Sequence, residues 1–235
     1  MKTVWITGTT RGLGAALAAR CRLAGWRVVT IDRQAPPDRA GVGRAVVCDL
    51  ASPEAVDRLV SRLLDEGWKP DVLVLNAAAV AVDYHPPALE AQSFLDIVGA
   101  NLAASATLLG QLPRLPGTMV VAVSSTAILV PTGRSLGYYA SKLALHHVLR
   151  VMAKRDRTRR YKLFVLGPMS HGMRNAETAA PPPLARRLAA LLAVSPEAAA
   201  DRLFRFLSER RGCLTYPRRA ALVFRLASVF GVVGP

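Results

Sequence analysis

The sequence predicts an open α/β fold, one domain spanning residues 1–235, and three observations predict it. Seven short apolar runs recur along the chain, the pattern of strands buried on both faces. Stretches with helix caps and helical periodicity separate them, and that alternation builds a parallel sheet. A hydrophobic content of 51% over 235 residues fills one sizeable core and falls short of two.

Thr3–Thr7 is the first strand and runs directly into Gly8-Thr9-Thr10-Arg11-Gly12-Leu13-Gly14. An amphipathic helix follows from Leu13 to about Leu23, and Gly25 ends it. Strand, glycine-rich turn and helix N-terminus together form an anion cradle, with backbone N–H groups and the helix dipole facing a pyrophosphate. The cradle residues are Gly8, Thr10, Arg11, Gly12, Leu13 and Gly14; Gly12 lets a ligand approach the backbone and Gly14 lets the helix pack on the strand. Arg27–Ile31 is the second strand and stops at Asp32, where a carboxylate holds adenosine ribose hydroxyls and repels a 2′-phosphate. Arg11 and Arg33 pull the other way, since either can bind such a phosphate. The carboxylate sits nearest the ribose, so NAD(H) is favoured and NADP(H) is the alternative.

Gly43–Cys48 is the third strand, and Asp49-Leu50 after it is a polar–apolar pair suited to an adenine ring. Ser52-Pro53-Glu54 starts a helix by N-cap and first-turn proline, and Gly67 stops it. Asp71–Asn76 is the fourth strand and enters Ala77-Ala78-Ala79, whose small side chains either leave room for a cofactor or simply pack tightly. A long helix over about Ala91 to Leu112 carries Asn101 on an apolar, alanine-rich face. Two readings stand for Asn101: a side chain satisfied by backbone, or a helix kink that holds a water near the site.

Met119–Val123 is the fifth strand, with Ser125 just past its end. Tyr138 follows thirteen residues later and Lys142 four after that, which puts both side chains on one face of a helix running to about Lys154. A phenol titrates near ~10 and is a poor base at neutral pH. An ammonium a few ångströms away favours the phenolate and brings that pKa toward the operating range. Ser125 is then placed to donate to a carbonyl or alkoxide oxygen held between it and Tyr138. A Tyr-x-x-x-Lys pair alone is common surface decoration, and its neighbours give it meaning.

Arg155–Lys162 reads as a basic connector and Leu163–Leu166 as the sixth strand. It opens into a loop at the carboxyl end of a strand, where open α/β sheets bind ligands; Gly167, Met169 and His171 are its expected contacts. Residues 174–195, with Pro181-Pro182-Pro183, form a short substrate lid. Ser195-Pro196-Glu197 begins another capped helix, Gly212 ends it, and Cys213–Tyr216 is the last strand. The remainder, 218–235, is a basic-apolar tail in which Leu222, Leu226, Val229 and Phe230 share a helical face beside Arg218, Arg219 and Arg225. It either packs on the body or a subunit interface, or lies on an anionic membrane as an interfacial helix.

The net charge of +15 is uneven: residues 1–149 carry 14 basic and 11 acidic side chains, while 150–235 carry 17 and 5. A solvated surface explains this, as do an anionic substrate or an anionic membrane. Interleaved aromatics and a recognised binding module are missing, so no nucleic-acid partner is expected. Three cysteines without Cys-x-x-Cys spacing cannot all pair, which points to a reduced, cytoplasmic setting and to no metal site. Met1 leads at once into the first strand, so no secretory leader is expected. Leu115–Gly133 is free of charge, but Pro116-Gly117, Ser124-Ser125-Thr126 and Pro131 break it into turn, strand and loop, not a membrane span.

In this order and spacing, Thr7-Gly8-x-x-x-Gly12-x-Gly14, Asp32, Asp49, Asn76-Ala77-Ala78, Asn101, Ser125, Tyr138 and Lys142 resemble the short-chain dehydrogenase/reductase family across essentially the whole chain. The resemblance implies a Rossmann-type doubly wound parallel sheet of about seven strands with helices on both faces. It implies hydride transfer between a nicotinamide cofactor and a small-molecule carbonyl or secondary alcohol. Tyr138 is then the general acid/base, Lys142 holds the nicotinamide ribose, Ser125 orients the substrate oxygen, and Asn101 holds a water in the proton relay. A homodimer or homotetramer is the expected assembly. Three departures stand out: the family's Asn-Asn-Ala-Gly reads Asn76-Ala77-Ala78-Ala79, its Pro-Gly reads Leu166-Gly167, and the threonine that holds the carboxamide is replaced by His171. The competing function is a cofactor-binding sensor or scaffold without turnover, against which the complete Asn101–Ser125–Tyr138–Lys142 set argues.

Overall fold

The computed structural model describes residues 1–34, 43–85, 87–129, 135–170, 190–220 and 222. Strands β1 (Thr3–Thr7), β2 (Arg27–Asp32), β3 (Gly43–Val47) and β4 (Val72–Leu75) come first, then a small antiparallel hairpin of β5 (Tyr84–His85) and β6 (Ala88–Leu89). With β7 (Met119–Ser125), β8 (Tyr161–Leu166) and β9 (Cys213–Tyr216), the seven long strands form one parallel sheet in the order β3-β2-β1-β4-β7-β8-β9. The chain thus starts in the middle, winds out to β3, and returns past β1 to build the other half. Where the winding reverses, between β1 and β4, a crevice opens at the carboxyl ends of the strands.

The central apolar runs form strands because both of their faces are covered; β3, at the edge, buries only Val46. Along β1, Trp5 points to one core and Val4 and Ile6 to the other, all fully buried. Helices α1 (Gly12–Leu23) and α6 (Pro196–Ser208) bury Leu17, Leu203 and Phe206 on one face. On the other lie α2 (Pro53–Asp65), α4 (Ala104–Gly110) and α5 (Leu136–Arg155), which bring Leu59, Leu108 and Leu145. The expected caps are present: Ser52 Oγ accepts the Ala55 N–H at 3.2 Å and Ser195 Oγ that of Ala198 at 3.1 Å.

Four expectations are corrected. The helix expected over Ala91–Leu112 is three pieces: α3 (Ala91–Val98), a π turn over Gly99–Ala103, and α4. That stretch, Ala91–Gly110, is long and apolar enough to cross a membrane by length and composition, yet Asn101, Leu108 and Leu109 are buried in this fold. Second, β8 starts at Tyr161, inside the expected basic connector, because the Tyr161 hydroxyl donates to Asp156 at 2.6 Å and Lys162 is buried. Third, the β5–β6 hairpin has no expected counterpart. Fourth, part of the lid packs as strand-like backbone: Met169 bridges Val194, with the Val194 N–H on Pro168 O and the Ser170 N–H on Val194 O, each at 3.0 Å. Residues 171–189 of the loop and lid, including His171, and the tail apart from 218–220 and 222 lie outside the described residues.

Candidate active site

At the crevice the strands open a cleft of about 1320 Å³. The turn contributes Gly8, Thr10, Arg11, Gly12 and Leu13, and β2 and β3 contribute Asp32, Arg33, Asp49 and Leu50. Asn76, Ala77, Ala78, Ser125, Tyr138, Lys142, Gly167 and Met169 lie on the same walls, whereas Asn101 is not among the lining residues. Gly14 is behind the wall instead: a Cβ there would stand 2.1 Å from Gly8 O and 2.6 Å from Asn76 Nδ2. Asn76 holds the turn from below, its Nδ2 donating to Thr7 O and Gly8 O at 2.9 Å each. Helix α1 has no side-chain cap and no acidic residue in its first turn, so its leading N–H groups remain available to an anion.

Asp32 is buried, and both of its oxygens meet Thr9: one accepts the Thr9 N–H at 2.6 Å, the other the Thr9 hydroxyl at 2.5 Å. The carboxylate therefore closes the glycine turn onto the end of β2 as well as lining the cleft. The 23-residue separation of this pair hid it from a motif reading.

Ser125 ends β7, and Tyr138 and Lys142 lie on successive turns of α5. Lys142 is 3% exposed, its Nζ donates to Val123 O at 3.0 Å, and burial lowers its pKa to about 8. Burial pushes the Tyr138 phenol above its ordinary range, and a hydrogen bond with Ser125 draws it down in part. This reverses the expected direction. The Lys142 ammonium stands 5.8 Å from the centre of the phenol ring and is turned to a carbonyl, so desolvating the phenolate outweighs the neighbouring charge.

Asn101 satisfies one reading and part of the other. It sits in the π turn, 1% exposed, and its side chain is held by backbone: Oδ1 accepts the Ala79 N–H at 2.6 Å and Nδ2 donates to Ala79 O at 2.9 Å. Nδ2 also donates to Ser141 Oγ on α5 at 3.0 Å, which ties the kink to the helix of Tyr138. The cleft gains walls that motif reading missed, among them Gln34, Cys48, Leu95, Asp96, Thr126 and Pro168. Leu95 and Asp96 share a helical face with Gly99 and Ala100, and that spacing is the signal that marks them. Among the described residues no group of three His, Cys, Asp or Glu is placed to hold a metal ion.

The family model for the short chain dehydrogenases matches residues 2–180. A 3beta-hydroxysteroid dehydrogenase of Mediterraneibacter gnavus is 28% identical over 164 residues, 65% of this chain and 59% of that protein. A 2,3-dihydro-2,3-dihydroxybenzoate dehydrogenase of Escherichia coli is 32% identical over 148 residues, 61% of this chain and 59% of that protein. The matches thus span about three fifths of the length of these relatives. A solved short-chain dehydrogenase from Streptomyces avermitilis shares the fold with a TM-score of 0.77 at 21% identity, covering 99% of this chain and 94% of that one. With the family model matched over more than half of its length, this chain belongs to the short-chain dehydrogenase family.

Proposed function

We propose that this chain is an NAD(P)(H)-dependent oxidoreductase that interconverts a small-molecule carbonyl and a secondary alcohol. One observation carries the reading: Ser125, Tyr138 and Lys142 meet on the same cleft as the uncapped glycine turn. The turn has the bare backbone a pyrophosphate needs, with Asp32 beside it for the adenosine ribose, Asp49 and Leu50 for the adenine, and Lys142 for the nicotinamide ribose. When bound, the nicotinamide supplies or accepts the hydride. Tyr138 gives its proton to the carbonyl oxygen in reduction and takes one from the alcohol in oxidation. Its burial keeps the phenol protonated, the state from which reduction starts. Ser125 donates to the same oxygen as its charge develops. Asn101 positions Ala79 and Ser141 around them.

The test is Tyr138→Phe, assayed by NADH oxidation against 2,3-butanedione, a 3-ketosteroid and an aldose; the steroid is included because a relative is named for one. Turnover is expected to fall by roughly 10²–10⁴-fold with NADH affinity nearly intact. Turnover within threefold of wild type would return the protein to the sensor or scaffold reading.

NAD(H) is the preferred cofactor in this reading. A carboxylate has about four acceptor sites, so Asp32 keeps capacity for ribose hydroxyls beside its two bonds to Thr9, and its charge opposes a 2′-phosphate. Fluorescence titration is expected to show NADH binding at least roughly tenfold tighter than NADPH, a difference that Asp32→Ala removes. NADPH binding tighter would mean that Arg11 and Arg33, both on the cleft wall, outweigh the carboxylate. A homodimer or homotetramer is supported by apolar side chains left exposed on α5 (Leu143, Val148 and Val151), and ultracentrifugation reads it. Peripheral membrane contact through the tail is tested by sedimentation with anionic vesicles.

A further inference from the structure

Helix α5 carries both Tyr138 and Lys142, so the seat of its first turn decides where the phenol lies. The residue in its N-cap position, Ser135, makes no side-chain bond to that turn. Instead the N–H groups of Leu136 and Gly137 donate to the two carboxylate oxygens of Asp83, each at 2.6 Å. Asp83 is 0% exposed and comes from the segment between β4 and α3. Its own place is fixed by the β5–β6 hairpin: Asp83 O accepts the Glu90 N–H at 2.7 Å, and Val82 O accepts the Ser93 hydroxyl at 3.3 Å.

Gly137 completes the fit. A Cβ at that position would stand 2.8 Å from Asp83 Oδ2, 2.9 Å from Phe94 O and 3.2 Å from the Ile97 Cβ. The first turn of α5 therefore seats flush on α3 with the carboxylate wedged at its end. Two of the four orphan N–H groups of the helix are satisfied, and a negative charge meets the positive end of its dipole.

We propose that Asp83 is a positioning residue for the reaction: by anchoring the first turn of α5 it sets the Tyr138 hydroxyl against Ser125. The proposal rests on the reading of Tyr138 as the proton donor and acceptor. Tyr138 is the residue after Gly137, so any shift of the turn moves the phenol directly. Lys142 is more than a turn further on and is held separately, through Val123 O. Misplacing a reacting group by about 1 Å costs on the order of 10²-fold in rate. Loss of Asp83 thus damages the chemical step and spares cofactor binding, whereas a general lesion of the fold damages both.

The full chain is assayed as wild type, Asp83→Asn, Asp83→Ala and Tyr138→Phe, with NADH and 2,3-butanedione as probes and NADH affinity read by fluorescence. Asparagine keeps the volume and one acceptor oxygen, so kcat is expected to fall roughly tenfold in Asp83→Asn and roughly 100-fold in Asp83→Ala. In both, NADH affinity stays within about twofold and the solvent deuterium effect on kcat rises, as the proton step slows. A kcat within threefold of wild type in Asp83→Asn and Asp83→Ala overturns the proposal. Equal losses of kcat and NADH affinity overturn it as well. So does failure of the isosteric Asp83→Asn to fold, since Asp83 would then hold the fold and not the phenol. Tyr138→Phe separates the layers: if it keeps wild-type turnover, the reading of the acid has failed; if it is inactive beside a fully active Asp83→Asn, only the role of Asp83 has.

Discussion

Lys142 and Lys162 are buried to nearly the same depth, 3% and 2% exposed, and burial lowers both to a pKa of about 8. They stand at opposite ends of the sheet. Lys162 enters at the start of β8 and donates to Phe206 O at 2.6 Å and Glu209 O at 2.7 Å, around the C-terminus of α6, where a cation meets the negative end of the dipole. Lys142 lies at the cleft end and makes a single hydrogen bond among the described residues, to Val123 O. An ammonium has three donors. The same desolvation is thus met by two carbonyls at one end and by one at the other, which in the proposed function leaves donors of Lys142 for a ligand. Two lysines of similar burial, both lowered to about 8, differ in the hydrogen bonds that hold them.

The strongest way to break this contrast is Lys142→Met. Turnover is expected to fall by at least about 10²-fold, since the ribose contact proposed for Lys142 and the charge beside Tyr138 both go. The folded protein at pH 7 should at the same time become more stable, by up to about 3 kcal/mol, the free energy of holding that lysine charged at a site where it titrates near 8. Urea denaturation reads the second effect, and a loss of stability would show that Lys142 holds the fold through Val123 O. Lys162→Met should give a different pair: the same charge cost is relieved, but the Phe206 and Glu209 carbonyls lose a buried partner at about 1–3 kcal/mol each, so stability should change by less than about 2 kcal/mol, with kcat within twofold of wild type.

The smallest effect concerns pH. For both lysines the folded pKa lies below the unfolded one, so the unfolded chain binds more protons between about 8 and 10.5. Their burial penalty is fully present below pH 8 and is relieved as pH rises. Stability should therefore climb by about 1 kcal/mol per lysine between pH 8 and 9, and Lys142→Met should remove its share. Above about pH 10 the sign turns, because Cys21 and Tyr161, each held up at about 12 by burial, keep their protons only in the folded chain.

What could be read without the structure follows from geometry that is local. A strand covered on both faces has to be apolar, so the runs within Asp71–Asn76 and Met119–Val123 announce themselves, and the four-residue step from Tyr138 to Lys142 fixes a shared helix face. Asp83 carries no such signal. It is one more acid in an irregular stretch, and the N–H groups it meets are 53 and 54 residues away. Lys162 was hidden by Arg157, Arg159 and Arg160 before it, which made the opening of a strand look like more solvated charge. The direction of the Tyr138 shift depends on burial depth and on where the Lys142 Nζ turns, and sequence spacing contains neither.

The π turn over Gly99–Ala103 makes chain length itself a constraint. Such a turn holds one residue more than a regular helix would, so α3 and α4 are out of step by about 100°. Deleting any one residue within 99–103 would let the helix close into an unbroken α-helix. Everything beyond the deletion would then turn by the same angle, setting Asn101 and its hold on Ala79 against the buried row of Leu108, Leu109 and Leu112, since both could not stay in place. The same deletion in the exposed turn at Arg157-Thr158 would be absorbed by a loop. Tolerance to insertion and deletion therefore varies along this chain independently of tolerance to substitution.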